Sequence, residues 1–344
     1  MSSQHLAAIL PSQGSRFEIQ QRPTPTPGPN ELLLEVHSVA LNPIDYYSRD
    51  FGFGVSSYPA VVGSDIGGIV LQTGSSVKDF KAGDRVASFA PAFFKLGSPD
   101  YGALQKKVLV PAVNTTLIPE KLSFDEASLL PMAVLTTWSG FYSIGVARDT
   151  AFKPSDKKGF LVWGGASSVG TAAIQVAKSL GYIVFATASS KHHSYIKTLG
   201  ADYLFDYKDE DVVEKIVKTA KDAGIFIDTG YDAVGAWKHS MQVLHEAKGD
   251  AKKAMLASAP PLKEEEMPKL GDVEAKFVLA PEGDEALAEH FGFVFNKWLK
   301  EKLAKGEWIV APKIKKMGGG LEGLNDALDE LKKGASGEKL VLNL

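Results

Sequence analysis

The stretch Gly159-Phe160-Leu161-Val162-Trp163-Gly164-Gly165-Ala166-Ser167-Ser168-Val169-Gly170 runs directly into Thr171-Ala172-Ala173-Ile174-Gln175-Val176-Ala177. An apolar β-type run breaks into small residues, and a helical pattern follows. That order of strand, tight turn and helix is how a dinucleotide-binding βαβ unit begins. Small residues let the backbone approach a pyrophosphate closely, and the free N–H groups and dipole of the helix N-terminus stabilise its charge. Gly165, Ala166, Ser167, Ser168, Val169 and Gly170 are therefore the first candidate cofactor contacts.

Outward from this turn, composition sets the frame. The chain has 344 residues, 44% of them hydrophobic and 23% charged, which is enough for two globular domains. Its net charge of −3 marks it for neither nucleic acid nor an anionic membrane. No apolar run is long enough to span a bilayer, and Met1-Ser2-Ser3-Gln4-His5 lacks a secretory pattern. With no cysteine there is no disulfide framework, thiol catalysis or thiolate metal site. A cytoplasmic protein is expected.

The character of the chain changes near residue 125. Before it, strand-like runs at 31–36, 66–71 and 107–110 are separated by Pro-, Gly-, Asn- and Asp-rich turns, notably 23–30 and 81–84. That pattern predicts a small β-barrel. After it, helical and strand periods alternate as in an α/β sheet. Strands are expected at 159–163, 183–186, 203–205, 225–227 and 253–258, and helices at 123–145, 169–180, 191–199 and 209–221. Near the end, residues 284–305 place Leu287, Phe291, Val294, Trp298 and Leu303 on one helical face.

Through these features and the motifs that follow, the chain resembles the medium-chain dehydrogenase/reductase superfamily, in its zinc-independent branch of quinone oxidoreductases and enoyl reductases. Residues 40–49, Ala-Leu-Asn-Pro-Ile-Asp-Tyr-Tyr-Ser-Arg, resemble the Asn-Pro-x-Asp-x-Tyr signature of that branch. Residues 59–70 resemble its Gly-x-Glu/Asp-x-x-Gly-x-Val element. The Gly83-Asp84-Arg85-Val86 turn, the run from Leu130 to Thr136, the cofactor loop and the tail from Gly318 to Leu342 follow in register. The resemblance implies a GroES-like β-barrel domain (1–125), a Rossmann-type doubly wound parallel-sheet domain (126–275) and a C-terminal segment (276–344) returning to the first. It places the active site in the cleft between the two domains.

Two departures are informative. Zinc-dependent alcohol dehydrogenases hold their catalytic metal through cysteine, histidine and a second cysteine. The first two matching positions here carry Asn42 and Ser64, and no cysteine exists for the third. Neither amide nor hydroxyl competes with thiolate or imidazole for zinc, so no metal site is expected. The adjacent pair His192-His193 is poorly placed to chelate. In the cofactor loop, quinone reductases usually read Ala-Ala-Gly-Gly-Val-Gly, whereas this chain reads Ala166-Ser167-Ser168-Val169-Gly170. Similar loops occur in fungal stand-alone enoyl reductases.

An NAD enzyme places an acidic residue at the end of the second strand, about twenty residues beyond the loop, to bind the ribose hydroxyls. Residues 185–192 read Phe-Ala-Thr-Ala-Ser-Ser-Lys-His, with no carboxylate. Ser189, Ser190 and Lys191 offer donors and a positive charge to a 2′-phosphate. The resemblance adds Tyr207 as a further phosphate contact and Thr136 as a contact from the helix entering the Rossmann domain. NADPH is the expected cofactor. Residues 228–235 resemble the fourth strand and its loop, where Asp232 and Gly235 have a structural or a cofactor role.

Without a metal, hydride addition to a simple carbonyl lacks its Lewis acid. A carbon–carbon double bond conjugated to a carbonyl, or a quinone, is easier, because hydrogen-bond donors suffice for the anion that forms. Tyr47 aligns with the signature tyrosine, and Tyr46 is its neighbour. Either can donate a hydrogen bond, or a proton to the α-carbon. Asn42, at a metal-ligand position of the zinc enzymes, is expected to face the nicotinamide. Asp45 reads alternatively as a helix cap. The aromatic-rich loop 88–102, with Phe51, Phe53 and Tyr58, points to a small apolar, carbonyl-conjugated substrate or a bulkier one.

The expected function is NADPH-dependent reduction of an enone, a quinone or an enoyl thioester. The alternatives are a trans-acting enoyl reductase on a polyketide or fatty-acyl chain, served by a carrier-protein partner, and a non-catalytic NADPH-binding protein. No nucleic-acid or membrane partner is expected, and either a monomer or a homodimer fits.

Overall fold

The computed structural model describes residues 3–344, which divide into two compact units. One runs to Met132 and resumes over Ala288–Leu344, and the other is Ala133–Leu287.

In the first unit the strand Glu31–Ala40 is the organising element. Its buried leucines and valines (Leu32, Leu34, Val36, Val39) meet an apolar core that includes Ile66, Val70, Val86, Val108, Leu328 and Leu340. It pairs antiparallel with three partners: Asp65–Thr73, Lys107–Pro111 and Glu338–Asn343. Serving three partners requires it to bend, and the register shifts at Leu33/Leu34 and Val36/Ser38, as bulges allow. The seven-stranded sheet continues through Arg85–Phe89 to Thr115–Leu117 on one side and ends at Lys313–Met317 on the other. The chain's final strand is thus built into the sheet of the first unit, with Val341 opposite Ala40.

The second unit carries a six-stranded parallel sheet in the order Tyr203–Phe205, Ile183–Thr187, Gly159–Trp163, Thr229–Asp232, Ala254–Ser258, Val273–Phe277. Two halves diverging from the Gly159–Trp163/Thr229–Asp232 pair make the doubly wound arrangement, and ligands of such sheets bind at the carboxyl ends of the strands beside this switch point. Every residue of Gly159–Trp163 is buried, as expected for a central parallel strand covered on both faces.

Three expected elements are corrected. The helix expected over 123–145 is two, Phe124–Ser128 and Pro131–Ser143, because Pro131 supplies no N–H to continue the ladder. The strand expected at 225–227 lies later, at Thr229–Asp232. Ile225 and Ile227 are buried, but only Phe226 forms a bridge, to Lys158. Apolarity there reports burial and not ladder pairing. The helix over 284–305 contains a π-helical stretch, Gly292–Leu299, between Asp284–Phe291 and Lys300–Lys305. The wider turn shifts its buried face to Phe291, Val294, Phe295, Leu299 and Leu303, leaving Leu287 and Trp298 half-buried. Within the π stretch, Asn296 donates its amide to the Thr115 carbonyl at 2.6 Å.

Candidate functional site

The turn after Gly159–Trp163 is held by close backbone contacts. Gly164 has φ 83°, a left-handed conformation that favours glycine, and its N–H donates to Thr187 Oγ1 at 3.1 Å. The Gly165 N–H donates to the Thr187 carbonyl at 2.8 Å, which ties the turn to the end of the second strand. Gly170 lies so near the turn that a Cβ there would meet the Gly164 carbonyl oxygen at 2.2 Å. Ser167 caps the helix Ser168–Ser179, its hydroxyl oxygen accepting from the Gly170 N–H at 3.0 Å. That bond uses the oxygen of Ser167 and leaves its proton available.

Ser168 Oγ is buried without a hydrogen-bond partner, an orphan that an anion at the helix start would satisfy. The first-turn N–H groups of Ser168 and Val169 have no intrahelical acceptor, as at any helix N-terminus. Gly165, Ala166, Ser167, Ser168, Val169 and Gly170 thus form a narrow anion cradle that fits the pyrophosphate of a dinucleotide. The helix Pro131–Ser143 lies against this start, with the Thr137 hydroxyl donating to Ala133 and Val169 carbonyls at 2.8 and 3.4 Å. Thr136 is half-buried beside it, and its carbonyl accepts from the Tyr231 hydroxyl at 2.9 Å.

Asp232, buried, accepts from the Val234 and Gly235 N–H groups at 2.9 and 2.8 Å and from Ser240 Oγ at 3.0 Å. It fixes the loop that follows the fourth strand, and Val234 of that loop sits where a Cβ on Gly164 would be. At the end of the second strand Ser189 is buried, Lys191 is exposed and Tyr207 is 49% exposed. Ser190 is not free: its N–H donates to Asp206 Oδ2 at 2.8 Å. The sequence segment 185–192 has no acid, and this one arrives from the neighbouring strand.

In the first unit, Asn42 precedes the helix Pro43–Phe51, and its N–H donates to Asp45 Oδ2 at 2.8 Å. The Asn42 amide is fully engaged: Nδ2 donates to Asp65 Oδ2 at 2.8 Å, and Oδ1 accepts from Lys339 Nζ at 2.5 Å. Lys339 Nζ is also 3.4 Å from Asp65 Oδ2, and Asp65 Oδ1 accepts from the Met132 N–H at 2.6 Å. Asn42 therefore acts within a buried knot of Asp65 and Lys339, positioning the helix it caps. Burial pushes the Asp65 carboxyl up, against the pull of Lys339, Asn42 and Met132. Asp45 is pushed up to about 7, chiefly by burial, with the nearby Asp65 charge adding to it. Asp45 also lines a small concavity with Ser48, Gly63, Ser64, Ala92 and Phe93.

Tyr46 and Tyr47 follow on the same helix, their rings 4.6 Å apart edge to face. Tyr46 packs on the apolar core, and burial together with a hydrogen bond to Tyr47 raises its hydroxyl above the usual value. Tyr47 lies between Tyr46 and the exposed Phe51, 6.3 Å from the latter's ring. A run of aromatic rings links Phe53, Phe93, Phe94 and Phe291 at 5.5–5.8 Å. Phe53, Phe93 and Phe94 are 44%, 38% and 39% exposed, a cost for apolar rings in water that a ligand would offset. Tyr58 packs on the core, and Tyr101 donates to Glu31 at 2.8 Å; both are structural.

The first unit's residues do not fit a zinc ion. Amide and hydroxyl stand at the ligand positions, and the Lys339 ammonium already occupies Asn42 Oδ1. Sequence reasoning missed Lys339, Asp65 and Asp206. The signal for Lys339 was a cation inside an otherwise apolar strand, Lys339-Leu340-Val341-Leu342. Asp206 gave no local signal, because only the sheet order brings it to Ser190.

Residues 28–120 match the alcohol dehydrogenase GroES-like domain, and residues 168–265 match the zinc-binding dehydrogenase family. The trans-enoyl reductase tndF of Aspergillus flavipes is 44% identical over 347 residues, covering 100% of both chains. The trans-enoyl reductase tazE of Aspergillus terreus is 48% identical over 269 residues, covering 77% of this chain and 88% of its own. Among solved structures, the CurK enoyl reductase superposes with a TM-score of 0.74 at 21% identity, covering 99% of each chain, which shows the shared fold. The chain belongs to the medium-chain dehydrogenase/reductase superfamily, nicotinamide-dependent oxidoreductases, in the branch of quinone oxidoreductases and enoyl reductases beside the fungal trans-enoyl reductases.

Proposed function

We propose that this chain is an NADPH-dependent, metal-independent enoyl reductase acting on a double bond conjugated to the carbonyl of a polyketide or fatty-acyl thioester, delivered by a separate carrier protein. The observation that carries this reading is the Asn42–Asp65–Lys339 knot at the metal-ligand positions, on the helix that presents Tyr46 and Tyr47. It leaves neutral hydroxyls, and no Lewis acid, to meet a developing oxyanion, which suits an enolate better than an alkoxide. The full-length likeness to tndF supports the same substrate class.

A bound reduced nicotinamide supplies the hydride. The Ser167 and Ser168 hydroxyls and the helix N-terminus hold the pyrophosphate, and Ser189, Lys191 and Tyr207 bind the 2′-phosphate. Tyr47 donates a hydrogen bond to the thioester carbonyl, or a proton to the α-carbon, and Tyr46, anchored in the core, orients it. Phe53, Phe93 and Phe94 receive the apolar acyl chain.

The test is NADPH consumption, with chelator present, against a 2-enone, a simple aldehyde, a quinone and an enoyl thioester, with products identified by mass. Saturated product from the thioester or enone, and none from the aldehyde, is the expected result. Turnover of the quinone alone would replace this reading with a quinone reductase. Cofactor binding without any turnover would favour a binding protein.

A further inference from the structure

The second strand ends without an acid of its own, yet the fold delivers one there. Tyr203–Phe205 pairs with Ile183–Thr187 so that Phe205 lies opposite Thr187, and the Ala188 N–H donates to the Phe205 carbonyl at 3.0 Å. Asp206 comes next. Its carboxylate accepts from the Ser190 N–H at 2.8 Å and from the Lys208 N–H at 3.0 Å, and the Ser190 hydroxyl donates to it as well. These donors and the nearby Lys208 charge hold its carboxyl below the usual range, so it is ionised at neutral pH. Of the donors expected to receive a 2′-phosphate, those of Ser190 are therefore already committed to an anion. Ser189, the Lys191 ammonium and the half-exposed Tyr207 remain.

We infer that Asp206 is a specificity-determining residue at the adenine-ribose end of the cofactor site, weakening NADPH relative to NADH. The inference rests on the cofactor reading above, in which a dinucleotide places its ribose 2′ position at the end of the second strand. There a carboxylate suits a ribose hydroxyl and opposes a phosphate, and the 2′-phosphate carries close to two negative charges near neutral pH. Asp206 contributes the carboxylate from the third strand, so the site combines an acid typical of NAD enzymes with a lysine and a tyrosine suited to NADPH. At the dielectric of water, one carboxylate within a Debye length of a doubly charged phosphate changes a dissociation constant by about three- to tenfold at low salt.

Asp206→Asn removes the charge and keeps one oxygen acceptor, which serves the Ser190 N–H (at Oδ2 in the wild type) or the Lys208 N–H (at Oδ1) but not both. Loss of the second bond acts on both cofactors alike, whereas loss of the charge acts on the 2′-phosphate alone. Binding of NADPH, NADH, 2′,5′-ADP and 5′-AMP to the full chain is measured by titration calorimetry for wild type and Asp206→Asn, at low salt and at high salt. The expected result is NADPH and 2′,5′-ADP bound about three- to tenfold more tightly by the variant at low salt, NADH and 5′-AMP changed less than twofold, and the difference shrinking at high salt. An equal change for both cofactors, no change, or weaker NADPH binding would overturn the inference while leaving the cofactor reading standing. If wild type binds neither dinucleotide, both fall.

Discussion

Lys339→Met removes the ammonium from the buried knot while keeping most of the side chain's length. Lys339 and Asp65 are 4% and 0% exposed, and their charges are 3.4 Å apart. At an effective dielectric of about 20, two unit charges at that distance attract by about 5 kcal/mol. Breaking one member out of a buried pair typically costs about 3–5 kcal/mol, because the other charge stays behind unpaired. We expect a loss in that range at pH 8, read by urea unfolding. The pH dependence has a definite sign. Burial already raises the Asp65 carboxyl, and Lys339 is the first of the groups opposing that shift, so the variant raises it further. A carboxyl raised in the folded state contributes stability that is fully present below its unfolded value, near 4, and is lost as pH rises through its folded value. The defect of Lys339→Met is therefore smallest near pH 4 and grows toward pH 8. Adding Asp65→Asn removes the stranded charge, and the double variant should recover at least about 2 kcal/mol relative to the sum of the single losses. A Lys339→Met loss under about 1 kcal/mol at pH 8, or strictly additive singles, would refute the knot as an ion-paired support for Asn42 and its helix.

Gly170→Ala places a Cβ at 2.2 Å from the Gly164 carbonyl oxygen, so the helix start must shift. A loss of about 1–3 kcal/mol in urea unfolding, with dinucleotide binding weakened at least about tenfold by calorimetry, is expected. Unchanged affinity would show that the turn does not shape the anion cradle. Tyr47→Phe should lower turnover of an enoyl thioester by about 10²-fold with the NADPH dissociation constant unchanged, while Tyr46→Phe, which keeps the core-packed ring and loses only the hydroxyl bonded to Tyr47, should lower it far less. Equal rate losses for the two would remove the distinction. Asp45, pushed up to about 7, makes wild type lose stability between about pH 4 and pH 7, and Asp45→Asn should flatten the curve in that window. An unchanged slope in thermal or urea unfolding would show that Asp45 is not titrating there.

The strand, small-residue turn and helix start of the candidate site were legible because they are local. A strand, a small-residue turn and a helix start are contiguous in sequence, and the helix from Ser168, its Ser167 cap and the close approach at Gly170 follow from that order. The helix carrying Tyr46 and Tyr47 was legible only at its start, where Asp45 read as a turn or helix cap and its carboxylate accepts from the Asn42 N–H. Boundaries set by a long-range balance were less legible. Ile225 and Ile227 are apolar because they are buried, whereas the ladder belongs to Thr229–Asp232. The π-helical stretch Gly292–Leu299 departs from a 3.6-residue period where Asn296 donates to the Thr115 carbonyl.

Charge pairing across the chain was least legible. Asn42, read as facing the nicotinamide, has its amide committed to partners 23 and 297 residues away. Ser190, read as a free phosphate donor, is held by a carboxylate 16 residues on. By itself the sequence determined the doubly wound sheet, the barrel-type first domain, the small-residue turn before the helix from Ser168 and the unsuitability of the ligand positions for zinc. Each of these depends on residue type at short spacing or on a residue's absence. Only the tertiary structure decided which charges meet, because a hydrogen bond is selected by distance in space. Strand order, which sets that distance at Asp206 and Lys339, leaves no trace in the residues on either side.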